Sequence, residues 1–141
     1  MVARAKRKMK LFLSYSHRDQ EFAGEIRKEL GKRGFSVWDD TCIPPGSAWF
    51  EEVAKAMRES DAVVILLSPD YFKSQWSQHE WAYAVTTPRY EGRLIPVLLK
   101  PTTGVPWILE QLSYIDATRK REGVGRKIAE ALRPLREVSK R

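Results

Sequence analysis

The feature that most restricts the fold is an uninterrupted apolar run near the middle of the chain. Residues 61–68 read Asp-Ala-Val-Val-Ile-Leu-Leu-Ser. Such a run, rich in β-branched residues and without alternation, is typical of a strand covered on both faces at the centre of a parallel sheet. Because parallel strands need a crossover between them, usually a helix, we expect strands and helices to alternate along the chain.

The rest of the sequence shows this alternation. Shorter apolar runs predict four more strands, at residues 10–15, 35–38, 93–99 and 112–116. Apolar residues at helical spacing predict helices that separate them, at about 19–32, 47–57, 76–86 and 123–138, with a short helical turn at 107–111. We therefore predict an α/β fold, a flavodoxin-like three-layer sandwich with a five-stranded parallel sheet in the order 2-1-3-4-5.

Local signals fix some of the expected boundaries. Asp19 or Ser16 is available to cap the first helix, and Ser47 to cap the second. Pro96 predicts reduced ladder pairing in the fourth strand, and Pro134 should bend or end the last helix early.

The net charge of +7 is concentrated at the two ends of the chain. Residues 1–10 hold five basic and no acidic residues, and residues 119–141 hold nine basic and three acidic ones, so the middle is mildly acidic. We expect a basic flexible tail at 1–9, one domain at 10–138 and a tail at 139–141. No aromatic residues interleave with the basic runs, so we expect no nucleic-acid partner; steep salt dependence of DNA binding would reveal one.

Composition also bounds the cellular setting and the type of site. The single cysteine, Cys42, excludes an internal disulfide and fits a reducing compartment. No apolar run is long enough to span a bilayer, and the basic N-terminus is not followed by a signal-peptide core. Two scattered histidines and one cysteine make no metal site by spacing. We expect a cytoplasmic protein with no metal, no cofactor and no membrane partner.

Candidate chemistry lies in the helix that follows the central strand. Trp76, Glu80 and Tyr83 recur at helical spacing, which places an indole, a carboxylate and a phenol in one column. In an open α/β sheet, ligands bind at the carboxyl ends of the strands, where this helix begins. A glutamate on a helix is, however, more often an ordinary solvated one.

Other sites of α/β folds are not supported by the sequence. Neither GxGxxG nor GxxxxGK[ST] is present, which argues against a dinucleotide-binding Rossmann fold and a P-loop nucleotidase. A response-regulator receiver would need acidic residues after the first and third strands, and these strands end in Ser14-Tyr15 and Leu67-Ser68.

Three segments in order resemble the Toll/interleukin receptor (TIR) domain family. Residues 10–16, Lys-Leu-Phe-Leu-Ser-Tyr-Ser, are similar to its first box, an apolar strand ending in Ser-Tyr. Residues 38–46, from Trp-Asp-Asp to Pro-Pro-Gly, are similar to its second box, the acidic loop that mediates assembly in the family. Ser74-x-Trp76-x-x-x-Glu80 resembles the helix with the family's catalytic glutamate, although Ser77 stands where members often have cysteine.

The resemblance implies cleavage of the nicotinamide–ribose bond of NAD⁺, with NAD⁺ as substrate rather than cofactor. Glu80 would be the catalytic carboxylate. Tyr15 would line the pocket or belong to the core, and Trp76 would stack on a flat ring or pack against the first loop. His17 and Arg18 would meet the phosphates or lie in a solvated turn. The substrate-binding set also includes Ser14, Trp38 and Tyr83.

The resemblance also implies self-association through the second box. The predicted assembly loop consists of Asp39, Asp40, Ile43, Pro44, Pro45 and Gly46. Two functions share this fold: an NAD⁺-cleaving enzyme of bacterial defence or virulence signalling that is activated by assembly with its own kind, and a non-catalytic interaction module. A carboxylate and an indole on one stripe favour the enzyme.

Overall fold

The computed structural model describes residues 8–73 and 75–135, without the side chains of residues 75–77 and 89. Five strands, β1 to β5, alternate with five helices. The strands are β1 (Lys10–Ser14), β2 (Ser36–Trp38), β3 (Ala62–Leu67), β4 (Leu94–Leu98) and β5 (Ile115–Asp116). The helices are α1 (Gln20–Lys32), α2 (Trp49–Glu59), α3 (Gln75–Thr86), α4 (Trp107–Glu110) and α5 (Val124–Ala131).

The sheet confirms the predicted fold class. Its order is β2-β1-β3-β4-β5, and every neighbouring pair is parallel. The strand predicted from the apolar run, β3, lies at the centre, where all six of its residues are buried. Its burial explains why the run lacks alternation: both faces of this strand are covered by helices.

Pro96 is accommodated where no ladder hydrogen bond is needed. The N–H of Leu99 donates to the carbonyl of Leu67, so the backbone N–H and C=O groups of the odd-numbered residues of β4 point toward β3. Those of the even-numbered residues therefore point toward β5, and β5 pairs only with Val97 and Leu98. Pro96 lies before that pairing begins, so its missing N–H costs nothing to the short fifth strand.

Two apolar layers enclose the sheet because strand side chains alternate between its faces. On one face, Leu11 and Leu13 of β1 and Val64 and Leu66 of β3 pack against α1 and α5. On the other, Phe12 of β1 and Val63 and Ile65 of β3 pack against α2 and α3. In the described part of the chain, no helix is long and apolar enough to cross a membrane.

Of the two residues predicted to cap the first helix, Ser16 is confirmed: it caps the short helical turn His17–Asp19 that leads into α1, and its hydroxyl oxygen accepts the N–H of Arg18. The caps predicted at Ser47 and Asp19 are wrong for identifiable reasons. Ser47 does not cap α2, which begins after Ala48 without a side-chain cap. The N–H of Ser47 instead donates to the carbonyl of Pro44, in a turn through Gly46 at a φ of 86°. Asp19 precedes α1 without capping it, because its carboxylate accepts a hydrogen bond from Ser68.

The ends of the domain differ somewhat from expectation. Met9, in the predicted tail, is buried, and its carbonyl accepts the N–H of Ser36. The helix α5 ends at Ala131, before Pro134, and residues 133–135 add a further helical turn. The predicted strand at 112–116 is shortened to Ile115–Asp116. Residues 1–7 and 136–141, which include most of the predicted tails, lie outside the described residues.

Truncation of the central strand should destabilise the fold. Leu66 is fully buried between β3 and the α1–α5 layer, so Leu66→Ala should lower the free energy of unfolding by about 3 kcal/mol through lost burial and a cavity. Urea denaturation measures this loss, with exposed Lys55→Ala, expected within about 0.5 kcal/mol of wild type, as control. A loss below about 1 kcal/mol for Leu66→Ala would contradict the assigned core.

Candidate functional site

The carboxyl ends of β1 and β3 bring three polar side chains together. Ser14 ends β1 and, like Phe12, points to the α2–α3 face of the sheet. Its Oγ donates a hydrogen bond to Oε2 of Glu80 on α3. The same Oγ lies 2.7 Å from the hydroxyl of Tyr71, in the short helical turn (Tyr71–Lys73) after β3. A carboxylate is thus held at the edge of the sheet where α/β proteins bind ligands.

Glu80 is an unusual helix glutamate. Burial raises the pKa of Glu80 to about 7, and the negative charge of Asp40 adds to this, whereas the hydrogen bond from Ser14 opposes it. A carboxyl group with such a pKa exists in both protonation states near neutral pH, as acid–base groups of active sites commonly do. The solvated-glutamate interpretation is therefore not supported.

Glu80 also opens onto a cleft of about 330 Å³ between α2 and α3. The walls are mostly apolar and are formed by Phe50, Val53, Ala54, Met57, Arg58, His79, Glu80 and Tyr83. Helical spacing explains both walls, since Glu80 and Tyr83 share one stripe of α3 and the apolar residues share one stripe of α2. Such a cleft is large enough for an aromatic ring and a sugar.

A second polar cluster surrounds Asp39, at the start of the predicted assembly loop. Asp39 is fully buried, and its Oδ2 accepts hydrogen bonds from Arg27 at 2.8 Å and from the Tyr15 hydroxyl at 3.0 Å. Its Oδ1 accepts from the N–H and the hydroxyl of Thr41. Because this carboxylate is buried and both of its oxygens accept hydrogen bonds, it fixes the position at which the loop leaves β2.

Tyr15 belongs to the Asp39 cluster. It is half-buried against the α1–α5 layer, and its hydroxyl also lies 3.4 Å from Asp40. Burial and the charges of Asp39 and Asp40 raise the pKa of the Tyr15 phenol far above its ordinary range. The phenol therefore stays protonated and donates to Asp39, on the opposite face of β1 from Ser14.

The other predicted substrate residues are spread along the same edge. His17 and Arg18 are exposed in the turn after β1, where Arg18 is 3.9 Å from Asp70. Trp38 is half-buried and stacks on Phe12, with ring centroids 5.2 Å apart. The side chain of Trp76 lies outside the described residues. The structure therefore joins Ser14 to Glu80 by a hydrogen bond and places Tyr83 in the same cleft as Glu80.

Beyond Asp39, the predicted assembly loop is largely exposed. Residues 40–42 form a short helical turn capped by Asp39. Ile43 is half-buried against the α2–α3 layer, and Pro44, Pro45 and Gly46 are exposed. The positive φ of Gly46 favours glycine at this position. A loop fixed at its base and exposed at its tip is suited to contacting another protein.

The sequence does not indicate Tyr71, Ser68 or Asp19 as site residues. Ser68 and Tyr71 lie three residues apart after β3, but the contacts of Ser68 with Asp19 and of Tyr71 with Ser14 form only because β1 and β3 are neighbours in the sheet. Within residues 8–73 and 75–135, no three histidine, cysteine, aspartate or glutamate side chains are grouped as metal ligands.

The fold and this site geometry define a flavodoxin-like α/β domain with a semi-buried carboxylate at the carboxyl edge of its sheet. The sequence model of the TIR domain matches residues 11–132. The chain therefore belongs to the TIR domain family.

Two relatives are named for the synthesis of a cyclic ADP-ribose and for the hydrolysis of NAD⁺. The chain is 30% identical over 95 residues to the probable 2′ cyclic ADP-D-ribose synthase TcpO of Methanobrevibacter olleyae, covering 66% of this chain and 28% of that protein. It is 32% identical over 73 residues to the NAD(+) hydrolase TirS of Staphylococcus aureus, covering 50% of this chain and 26% of that protein. The chain thus spans about a quarter of either relative.

Solved structures show the same fold. The TIR domain of the Toll-related receptor TRR-2 from Hydra magnipapillata superposes with a TM-score of 0.74 at 21% identity, covering 87% of this chain and 97% of that one. A metazoan TIR-STING receptor from C. gigas gives a TM-score of 0.75 at 27% identity, covering 93% of this chain and 41% of that one.

The raised pKa of Glu80 predicts a pH dependence of stability. The folded protein holds this proton more tightly than the unfolded chain, whose carboxyl has the ordinary pKa of 4.5. The free energy of unfolding should therefore fall as pH rises from about 4.5 to about 7. After allowance for partial exposure, the contribution is about 1–2 kcal/mol.

Urea denaturation at pH 5 and pH 8 measures this effect. Glu80→Gln is neutral throughout, so its loss of stability between the two pH values should be smaller than that of wild type by about 1–2 kcal/mol. Exposed Glu59→Gln controls for removal of a charge. An identical pH dependence in wild type and Glu80→Gln would contradict the raised pKa.

Proposed function

We propose that this TIR domain cleaves the nicotinamide–ribose bond of NAD⁺, with Glu80 as the catalytic carboxylate. The observation that carries the proposal is the position of Glu80, held by Ser14 at the carboxyl edge of the sheet and opening onto the α2–α3 cleft. The family membership and the names of the two relatives support NAD⁺ as the substrate.

A single carboxylate suits this reaction. The bond between ribose C1′ and the nicotinamide nitrogen breaks, and its electron pair leaves with nicotinamide, a neutral pyridine. No general acid has to protonate the leaving group, in contrast to ordinary glycosides. Positive charge develops on the ribose, and ionised Glu80 stabilises it in a partly water-excluded site.

The second half of the reaction determines the product. Attack of water on C1′, with loss of a proton, gives ADP-ribose. Attack by a nucleophilic atom of the ADP-ribosyl part itself gives a cyclic isomer. With a pKa of about 7, Glu80 can act as the stabilising anion before the attack and as the proton acceptor during it.

The cleft indicates how the substrate would bind. Its apolar α2 wall and the ring of Tyr83 suit the flat nicotinamide, and the carboxylate lies at the same opening as Arg58 and His79. Stacking and burial of the ring would fix C1′ beside Glu80, and a fixed geometry of this kind contributes much of the rate enhancement of enzymes. Trp38 and the turn with His17 and Arg18 lie along the same edge, where the rest of the dinucleotide would extend.

Nicotinamide release tests the proposal. Wild-type protein, both dilute and concentrated on beads, should release nicotinamide from NAD⁺, and Glu80→Ala should reduce the rate roughly 100-fold or more because the charge on the ribose is no longer stabilised. Glu59→Ala removes an exposed glutamate of α2 and should leave the rate unchanged.

Two results would reject parts of this proposal. Release that survives Glu80→Ala would reject the catalytic role of that residue. No release by concentrated wild type would instead favour the interaction module acting through residues 39–46.

We further propose that activity depends on self-association through the tip of the assembly loop. Asp39 fixes the base of the loop, and Pro44, Pro45 and Gly46 are exposed at its tip, where the two prolines restrict the backbone. Asp40 links loop and site, because its charge acts on both Tyr15 and Glu80. A contact that repositions the loop would therefore be felt at the carboxylate.

A charge at the loop tip should uncouple activity from concentration. The specific activity of wild type should rise with protein concentration, whereas Pro45→Asp should show a low, flat profile because a charge buried in the contact has to lose its hydration. Pro101→Asp alters an exposed proline of another loop and should behave as wild type. Light scattering should show self-association lost in Pro45→Asp, and an unchanged rise in that variant would contradict the role of the loop.

A further inference from the structure

A chain of buried hydroxyl groups lies behind Glu80. Tyr71 is fully buried, and its hydroxyl is 2.7 Å from Oγ of Ser14, itself only 2% exposed. Ser14 in turn reaches Oε2 of Glu80. The candidate carboxylate is therefore connected to the interior of the protein through one serine.

Counting protons gives the direction of these hydrogen bonds. A serine hydroxyl has one hydrogen, and in this arrangement Ser14 donates it to Glu80. The contact between Ser14 and Tyr71 then requires Tyr71 to be the donor. Burial, together with the nearby charge of Glu80, raises the pKa of Tyr71 well above its ordinary value, so the phenol keeps its proton.

Further contacts hold the backbone and the ring of Tyr71 in place. Its N–H lies 3.1 Å from the carbonyl and 3.2 Å from the Oγ of Ser68. The hydroxyl of Ser68 donates to Asp19 at 2.5 Å, and Asp19 is 3.9 Å from the ammonium group of Lys100. The edge of the Phe72 ring packs against the Tyr71 ring. These contacts fix the backbone and the ring of Tyr71, and with them the position of its hydroxyl oxygen.

We propose that Tyr71 is a positioning residue that acts on Glu80 through Ser14. By donating to Ser14, it leaves the serine hydrogen pointing only at Glu80 and strengthens that hydrogen bond cooperatively. This proposal rests on the proposed role of Glu80 in NAD⁺ cleavage. Outer hydrogen-bond partners of this kind orient the groups they hold, and their removal commonly costs 10- to 100-fold in activity.

Other charged groups face Glu80 and must stay constant in the test. Asp40 approaches from the loop after β2, and Arg58 of α2 and His79 of α3 line the same cleft. A substitution confined to the phenol oxygen of Tyr71 leaves each of these charged groups in the protein.

Tyr71→Phe removes only that oxygen. It should lower kcat for nicotinamide release roughly tenfold with KM nearly unchanged, because the positioning of the carboxylate is impaired rather than substrate binding. Tyr90→Phe is the matched control: Tyr90 is equally buried in the same apolar layer, but its hydroxyl donates to the carbonyl of Met57. It should lose stability to a similar extent and keep its kcat.

A double-mutant cycle distinguishes action through Ser14 from a structural effect. In the Ser14→Ala background, Tyr71→Phe should change kcat less than about twofold, since the connection to Glu80 is already broken. A full tenfold loss in that background would overturn the proposal. So would a Tyr71→Phe single variant with the wild-type kcat.

A titration that does not require catalytic activity tests the role of Tyr71 separately from the proposed cleavage of NAD⁺. The carbon-13 resonance of the Glu80 carboxyl should report a pKa higher by about half a unit in Tyr71→Phe, because a weaker donation from Ser14 stabilises the carboxylate less. Tyr90→Phe should not shift it. If the wild type releases no nicotinamide, the proposed function fails, yet this shift still supports the coupling; an unshifted titration in Tyr71→Phe overturns it.

Discussion

The hydrogen bond from Ser14 to Glu80 is the interaction on which the rest of the site depends. It joins the end of β1 to the middle of α3, and it is possible only because parallel pairing of β1 with β3 places both elements at one edge of the sheet. Without this bond, a carboxyl group with a pKa of about 7 would remain partly buried without its nearest polar partner, at a cost in stability. The fold thus maintains a destabilising group at the carboxyl edge of its sheet, a pattern common at functional sites.

In the proposed function, one of the two polar clusters serves the chemistry and the other serves assembly. Glu80 faces the α2–α3 layer, whereas Asp39 and Tyr15 are anchored toward the α1–α5 layer. Asp40 lies between them and acts electrostatically on both. This arrangement gives a physical reason why an event at the assembly loop would influence the carboxylate, without requiring a rearrangement of the sheet.

Sequence patterns predicted the parts of the structure that are determined by local periodicity. The apolar run gave the central strand, and helical spacing placed Glu80 and Tyr83 on one wall of the cleft. Contacts between distant segments escaped prediction: Tyr71 lies in a short turn without periodicity, and Asp19 accepts from Ser68 instead of capping a helix. Ser47 was misassigned because the turn through Gly46 engages its backbone. The resemblance to the first box predicts both Ser14 and Tyr15 as substrate-binding residues. Because side chains alternate along a strand, however, the two lie on opposite faces of the sheet.

The most direct test of the account is the structure of the Glu80→Gln protein with NAD⁺ bound, since this variant should hold the substrate without cleaving it. The account predicts the nicotinamide ring in the cleft between α2 and α3, beside Tyr83. It also predicts a ribose hydroxyl within about 3.2 Å of the side chain at position 80. NAD⁺ bound away from this cleft, with its ribose out of reach of position 80, would contradict the account.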